Sequence, residues 1–383
     1  MRPIYLDNNA TTRIAPEVLE AMLPYLTRTY GNPSSQHLFG EPVKRRVEEA
    51  RSSVAALLRA SPAEIVFTSG ATESNHTAIM GALAMRPGRR HIVTTSVEHP
   101  SVLRLLGRLG ETGYHVTFLP ADSDGGPDMQ ALQETVREET ALVSMMWANN
   151  ETGVIFPVSS AAEVARGKGA LFHTDAVQAV GKTPVDLSRA AADLLSLSGH
   201  KLHAPKGVGV LFVRKGLALP PLLCGHQERG RRGGTENVPG IVGLGTACEL
   251  AASDMGGDMQ RVRGLRDRLE EGILSAVPHA AVNGRRHPRL PNTTNLRLGT
   301  LGAEAILDRL SRFGIAASAG SACSSDGTEP SHVLTAMGLS RDEALAAVRL
   351  SLSRYTTPEE ISSVLEVMPA IVEELTAMEL VRS

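Results

Sequence analysis

Short, largely apolar runs that stop at small, polar or charged residues, with helical patterns between them, recur through the first two-thirds of this chain. Ile65-Val66-Phe67 gives way to Thr68-Ser69-Gly70, and His91-Ile92-Val93-Thr94-Thr95 leads to Glu98-His99-Pro100. Ala141 to Met146 ends in Trp147-Ala148-Asn149-Asn150, Leu171-Phe172 in His173-Thr174-Asp175, and Leu194 to Leu197 in Ser198-Gly199-His200-Lys201. Strands apolar on both faces need cover on both faces, and strand–helix alternation supplies it. The pattern therefore predicts an α/β protein with a mainly parallel central sheet between helices. In such sheets, ligands sit in the loops beyond the strand ends.

Two of those ends carry chemistry. A lysine is most often a solvated surface residue. Lys201, however, follows a buried strand, where desolvation can turn its ammonium into a nucleophilic amine. Asp175 closes the preceding strand. An acid and an amine delivered side by side suit a pyridine ring with its nitrogen at one end and an aldehyde at the other, which is pyridoxal 5'-phosphate (PLP). The small residues Ser69-Gly70-Ala71-Thr72, between a strand and a helix, would leave N–H groups free at a helix N-terminus for a phosphate. That signal is weak by itself. His99 lies where the same loop points, although a lone histidine is more often structural.

Charge and length exclude several classes. The formal net charge is −2 over 383 residues, so nothing favours nucleic acid or an anionic membrane surface. No uncharged run approaches the ~18 residues of a membrane helix. Ile4-Tyr5-Leu6 reads as a strand and not as part of a signal peptide. The three cysteines lack metal-binding spacing, which points to a reducing compartment, by default the cytoplasm. Cys248, in an apolar helix, reads as a buried hydrophobe, whereas Cys224 could be either buried or reactive. Cys323 stands in a run of Gly, Ser and Ala with little to pack and much to flex, which favours a reactive thiol.

The remaining segments set the domain plan. Asp7-Asn8-Asn9-Ala10-Thr11-Thr12 is a turn-prone loop of the kind that usually serves as a connection. His226 to Asn237 is glycine-rich and charged, and is not expected in the core. Asp254 to Asp258 is the best domain boundary. The expected division is a large α/β domain over residues 13–255 and a smaller α+β domain from residues 1–12 and 256–383. The smaller domain would carry the cysteine loop at about residues 316–332. Val348 to Tyr355 alternates with period two, as a half-buried strand does.

Seven segments in order resemble one family: Tyr5 to Thr12, Ser69 to Ser74, Val97-Glu98-His99, Asn149 to Gly153, His173 to Gln178, Ser198 to Lys201 and Gly320 to Cys323. Together they resemble the cysteine desulfurases, which are homodimeric fold-type I PLP enzymes with an aspartate aminotransferase-like fold. Met146 to Asn150 and His200 to Lys206 are most similar to the NifS branch, which supplies sulfur for nitrogenase clusters. The housekeeping IscS branch is the near neighbour. The long segment around Cys323 resembles the group with a mobile cysteine loop.

The resemblance implies roles residue by residue. Lys201 would hold PLP covalently and take the substrate Cα proton, Asp175 would pair with the pyridine nitrogen, and His99 would stack on the ring as an acid–base group. Gln178 and Asn150 would lie near the ring hydroxyl. Ala71, Thr72, Ser198 and His200 would hold the phosphate, with Thr235 reaching in from a second subunit. Arg349, helped by Asn8, would clamp the carboxylate of L-cysteine. Cys323 would take the sulfur as a persulfide, releasing L-alanine, and would pass it to an iron–sulfur scaffold or another acceptor. A transient iron–sulfur cluster bridged through Cys323 is also implied. The chain departs from the family pattern at Leu222 to His226, which is slightly shorter, and at Met378 to Ser383, which lacks the housekeeping tail. The alternatives are a housekeeping desulfurase for general iron–sulfur assembly or tRNA thiolation, a selenocysteine lyase or aminotransferase of the same fold, and an inactive assembly platform.

Overall fold

The computed structural model describes residues 3–253, 255–320 and 329–382. Strand β1 (Ile4–Tyr5) precedes a seven-stranded sheet made of β2 (Ile65–Thr68), β3 (His91–Thr95), β4 (His115–Leu119), β5 (Thr140–Ser144), β6 (Leu171–Asp175), β7 (Leu194–Ser198) and β8 (Gly209–Val213). Its order is β2-β8-β7-β6-β5-β3-β4. From β4 to β7 every pairing is parallel, and β8 runs antiparallel to both β7 and β2. The sheet is mixed and mainly parallel, as the apolar runs require.

Alternation along each strand explains why those runs carry apolar residues on both faces. Val66, Ile92, Leu142, Leu171 and Leu194 pack on one face beneath the helices Ala71–Ala84 and Pro100–Glu111. Their neighbours Phe67, Val93, Val143, Phe172 and Leu195 pack on the other face, against the helices Gly40–Leu58, Val158–Gly167 and Val238–Ser253. Both faces are thereby removed from water.

A second core lies in the C-terminal part. Strands β9 (Ala280–Val282), β10 (Thr293–Leu298), β12 (Ser318–Ala319) and β13 (Ala347–Ser351) form an antiparallel sheet ordered β12-β13-β10-β9, while β11 (Ile315–Ala316) pairs in parallel with β1. Leu296, Val348 and Leu350 pack with Leu265, Leu269 and Ile273 of the helix Met255–Ala276 and with Ile361 and Met368 of the helix Pro358–Arg382. Ile4 and Leu6 belong to this second core, so the N-terminal segment is tied to the C-terminal part of the chain. Gly314, in the left-handed region at φ +75°, follows the helix Ala303–Arg312, as expected of a glycine at that site.

Three expectations need correction. The strand expected over Val348–Tyr355 ends at Ser351 and is buried on both faces, because β10 and β12 flank it. The break expected at Asp254–Asp258 narrows to a junction between helices, because Met255 already starts the helix that runs to Ala276; Asp254 itself lies outside the described residues. The segment His226–Asn237 does send a residue into the core. Glu228 is 7% exposed and accepts from Arg51 Nη1 at 2.6 Å, from Arg51 Nη2 at 2.8 Å and from the Phe67 N–H at 2.8 Å. Arg51 also stacks over the Phe67 ring. The buried guanidinium on helix Gly40–Leu58 needs an anion, and the loop supplies it.

Among the described residues no helix is long and apolar enough to cross a membrane. Leu19, Leu23, Leu26, Tyr30, Leu38 and Phe39 are exposed near the N-terminus, and the Tyr30 and Phe39 rings stack at 6.0 Å.

Removing one partner of a buried, hydrogen-bonded ion pair leaves the other uncompensated and costs about 3–5 kcal/mol. Glu228→Ala is expected to lose stability of that order in urea denaturation. A loss under about 1 kcal/mol would place the pair in effective contact with water.

Candidate active site

The turns beyond β3, β5, β6 and β7 and the loop Asn9–Thr11 enclose a cavity of about 610 Å³. Asp175 and Lys201 both line it. Parallel pairing sets Asp175 opposite Ser196 of β7, so the two strands deliver the acid and the amine to the same rim. Asp175 Oδ2 accepts from Asn75 Nδ2 at 2.8 Å, and Oδ1 accepts from the Val177 N–H at 3.0 Å. These bonds fix the carboxylate at 6% exposure.

Lys201 Nζ donates to the main-chain carbonyls of Asn9, at 2.5 Å, and Ala10, at 2.6 Å. The loop that looked like a connection therefore forms part of the cavity wall. Thr12 straps it down, its hydroxyl donating to the His200 carbonyl and accepting from the His203 N–H. The hub is Asn9, not Asn8. Asn9 Nδ2 donates to the Asn150 carbonyl and to Thr293 Oγ1, and its Oδ1 accepts from Asn292 Nδ2 at 3.0 Å. Asn8, expected at the substrate, donates to the carbonyls of Tyr5 and Ser351 and does not line this cavity.

His99 is the N-cap of the helix Pro100–Glu111, with proline at the first helical position. Its Nδ1 accepts from the Ser101 N–H at 3.1 Å, which leaves the ring proton of the neutral form on Nε2. Burial, which outweighs the attraction of Asp175, holds its pKa below the usual histidine value. Burial and the charge of Lys201 push His200 down to about 4, so it is neutral where its Nδ1 meets Thr11 Oγ1. Ala71 and Thr72 form the first turn of the helix Ala71–Ala84, whose N-cap Gly70 makes no side-chain cap. Those two residues line the cavity with Ser198, Gln178 and Asn150, and a helix N-terminus left uncapped is a ready anion seat.

Arg349 is 1% exposed and also lines the cavity. Its Nη2 donates to Asp7 Oδ1 at 2.8 Å and its Nη1 to the Asn150 carbonyl at 3.2 Å, while Nε has no partner. A buried guanidinium in a cavity wall, with one donor still without a partner, suits an anionic ligand group.

Two carboxyls escaped the sequence reading as site residues. Glu151, in the cavity wall, accepts from Ser331 Oγ at 2.5 Å and is pushed up to about 7 by burial. Glu98, fully buried beside His99, is pushed up to about 8 by burial. Both stood inside recognised motifs, but only the folded surroundings reveal their depth. Cys323 lies outside the described residues. Thr235 is exposed and does not line this chain's cavity. Cys224 is exposed, and burial pushes the Cys248 thiol to about 12, so Cys248 is an inert hydrophobe. Among the described residues, no group of three or more His, Cys, Asp or Glu could hold a metal ion.

The sequence matches the aminotransferase class-V family over residues 4–364. It is 54% identical over 379 residues to cysteine desulfurase 2 of Trichormus variabilis, covering 99% of this chain and 95% of that one. It is 52% identical over 377 residues to cysteine desulfurase NifS of Azotobacter vinelandii, covering 98% and 94%. A solved NifS-like protein superposes with a TM-score of 0.91 at 38% identity, covering 97% of this chain and all of that one. The chain belongs to the cysteine desulfurases. Its cofactor is PLP, and its fold is that of fold-type I PLP enzymes. The donor set fits the cofactor: an anchored acid for the pyridine nitrogen, an amine for the aldehyde and a bare helix N-terminus for the phosphate.

A desulfurase with this cavity carries a pH signature. Burial raises the Glu151 pKa from 4.5 to about 7, so the fold favours its neutral form. The resulting stabilisation is complete below the unfolded pKa and is lost as pH rises through the folded one. Glu151→Gln cannot ionise. The urea stability of the variant relative to the parent is therefore expected to improve by on the order of 3 kcal/mol between pH 4.5 and pH 8. A pH-independent difference would mean that Glu151 is ionised in the fold.

Proposed function

We propose that the sulfur taken from L-cysteine passes to Cys323 as a persulfide and then to an iron–sulfur scaffold of the nitrogenase type. The observation that carries the reading is the convergence of Asp175, Lys201, His99 and Arg349 on one cavity. The high identity to a protein named NifS supports the choice of acceptor.

In this reading Asp175 keeps the pyridine nitrogen protonated, and PLP, when bound, supplies the electron sink for the reaction. Lys201 Nζ takes the proton from the substrate Cα. His99 would lie against the cofactor ring and move a proton at Nε2. The Arg349 guanidinium would receive the substrate carboxylate. Ala71, Thr72, Ser198 and His200 would hold the phosphate, and Gln178 and Asn150 would hold the ring hydroxyl. The Cys323 thiolate attacks the substrate sulfur, an S–S bond forms and the Cβ–S bond breaks. Its electron pair is finally protonated at Cβ, so cysteine plus a thiol becomes alanine plus a persulfide.

The working unit is a homodimer in the cytoplasm, with Thr235 of each copy completing the phosphate site of the other. Exposed Leu19, Leu23, Leu26, Tyr30, Leu38 and Phe39 supply apolar surface for that contact. The chain divides into a large domain, residues 13–255, and a smaller one, residues 1–12 and 256–383. The larger holds the seven-stranded sheet, and the smaller holds the four-stranded sheet and the β1–β11 pair.

Cys323→Ala is expected to keep its cofactor absorbance and to lose alanine production from cysteine by at least about 100-fold, since a covalent nucleophile has no substitute. A variant that kept its rate would instead make this a lyase or aminotransferase that releases its product without Cys323.

A further inference from the structure

Lys182 is a buried amine that the roles above leave unused. It follows Asp175 in a helical turn in which Val180 N–H donates to the Ala176 carbonyl and Lys182 N–H to the Ala179 carbonyl. Gln178 and Lys182 therefore share one face, four residues apart. Lys182 Nζ donates to Gln178 Oε1 at 2.5 Å and to Asn9 Oδ1 at 3.3 Å. Gln178 Nε2 then donates to the Asn9 carbonyl at 3.0 Å, the same oxygen that receives Lys201 Nζ. Gly181, at φ +76°, packs so closely on Leu202 that a Cβ would lie 2.4 Å from it. The turn bearing Lys182 is thereby pressed against the segment bearing Lys201.

Lys182 is 8% exposed, and no carboxylate among the described residues pairs with it. The ionisable groups around the two amines leave Lys182 itself facing other cations and, among the described residues, no anion. Asp7 is paired with Arg349, and Asp258 of the helix Met255–Ala276 with Arg354. Burial keeps His99, His200 and His203 below the usual histidine value. Asp175 is held by Asn75 and the Val177 N–H, and Lys206 adds positive charge. Burial and the charges of Lys201 and Arg349 push the Lys182 pKa well down. A second lysine buried among amides, without a counter-ion, is costly to keep charged.

We propose that Lys182 is a positioning residue for the desulfurase reaction, orienting Gln178 and Asn9 and thereby setting the proton affinity of the Lys201 nitrogen. Its two N–H bonds fix which way each amide points. Its positive charge or N–H dipoles, across the shared Asn9, disfavour a proton on Lys201. The proposal rests on the reading that Lys201 carries the cofactor.

The test is the pH titration of the visible absorbance of the purified holoenzyme without cysteine, together with kcat and KM for cysteine. In Lys182→Met, which has neither donors nor charge, the titration midpoint is expected to rise by about one unit, a tenfold change in proton affinity. Activity is expected to fall mainly in kcat. Lys182→Arg, which keeps donors and charge, should return the midpoint to within a few tenths of a unit of the parent. Lys182→Gln separates donor from charge: a midpoint between the other two supports both contributions. A Met variant with an unchanged midpoint and unchanged kcat overturns the proposal. So does a Met variant recovered folded but free of cofactor, since Lys182 would then be a holding residue. A chromophore that survived Lys201→Ala in the parent background would instead fault the assignment of Lys201.

Discussion

The site depends on two neighbouring parallel strands that stop at the same rim. Pairing between β6 and β7 fixes where each chain leaves the sheet, and the residues that follow inherit the placement. Asp175 is the last residue of its strand, and Lys201 stands in the short turn after the other. Neither side chain has to search for its partner, because the hydrogen-bond ladder holds both backbones. An acid and an amine presented this way can grip opposite ends of one flat ring, and this prior ordering lowers the entropy lost on binding.

The rest of the chain protects that arrangement from water and movement. Helices on both faces bury the strands, and the N-terminal loop crosses from the second core to the cavity wall. Asn9 is where these constraints meet. Its main-chain N–H donates to Ser351 Oγ of β13, its side chain joins Asn292 and Thr293, and its carbonyl receives Lys201. A network of this kind is worth having only when all its members are satisfied, and every polar atom of Asn9 is. The large sheet, the second sheet and the lysine are thereby coupled through one residue.

The strand ends were legible in the sequence because their signal is local: an apolar run, a polar stop, and an acid or a lysine at the stop. The uncapped helix start at Gly70–Thr72 was legible for the same reason. What escaped was set by contacts between distant residues. Glu228 reads as solvated because nothing nearby shows that Arg51 lies buried beneath it. Asn8 and Asn9 are indistinguishable in a turn-prone loop, and only the packed neighbours decide which amide faces the lysine. The alternation of Val348 to Tyr355 implied one wet face, yet flanking strands and the Asp7 carboxylate allow Arg349 to be buried. Composition identified Cys323 as a candidate nucleophile, and that residue lies beyond the described segment.

The central claim is that Lys201, and no other amine near the cavity, bears the cofactor. Borohydride reduction of the holoenzyme followed by peptide mass spectrometry tests this directly, since reduction makes the cofactor–lysine linkage permanent. The added pyridoxyl mass is expected on the peptide containing Lys201. Finding it on Lys182 or Lys206 would contradict the account, because neither of those amines stands at the end of the strand beside Asp175.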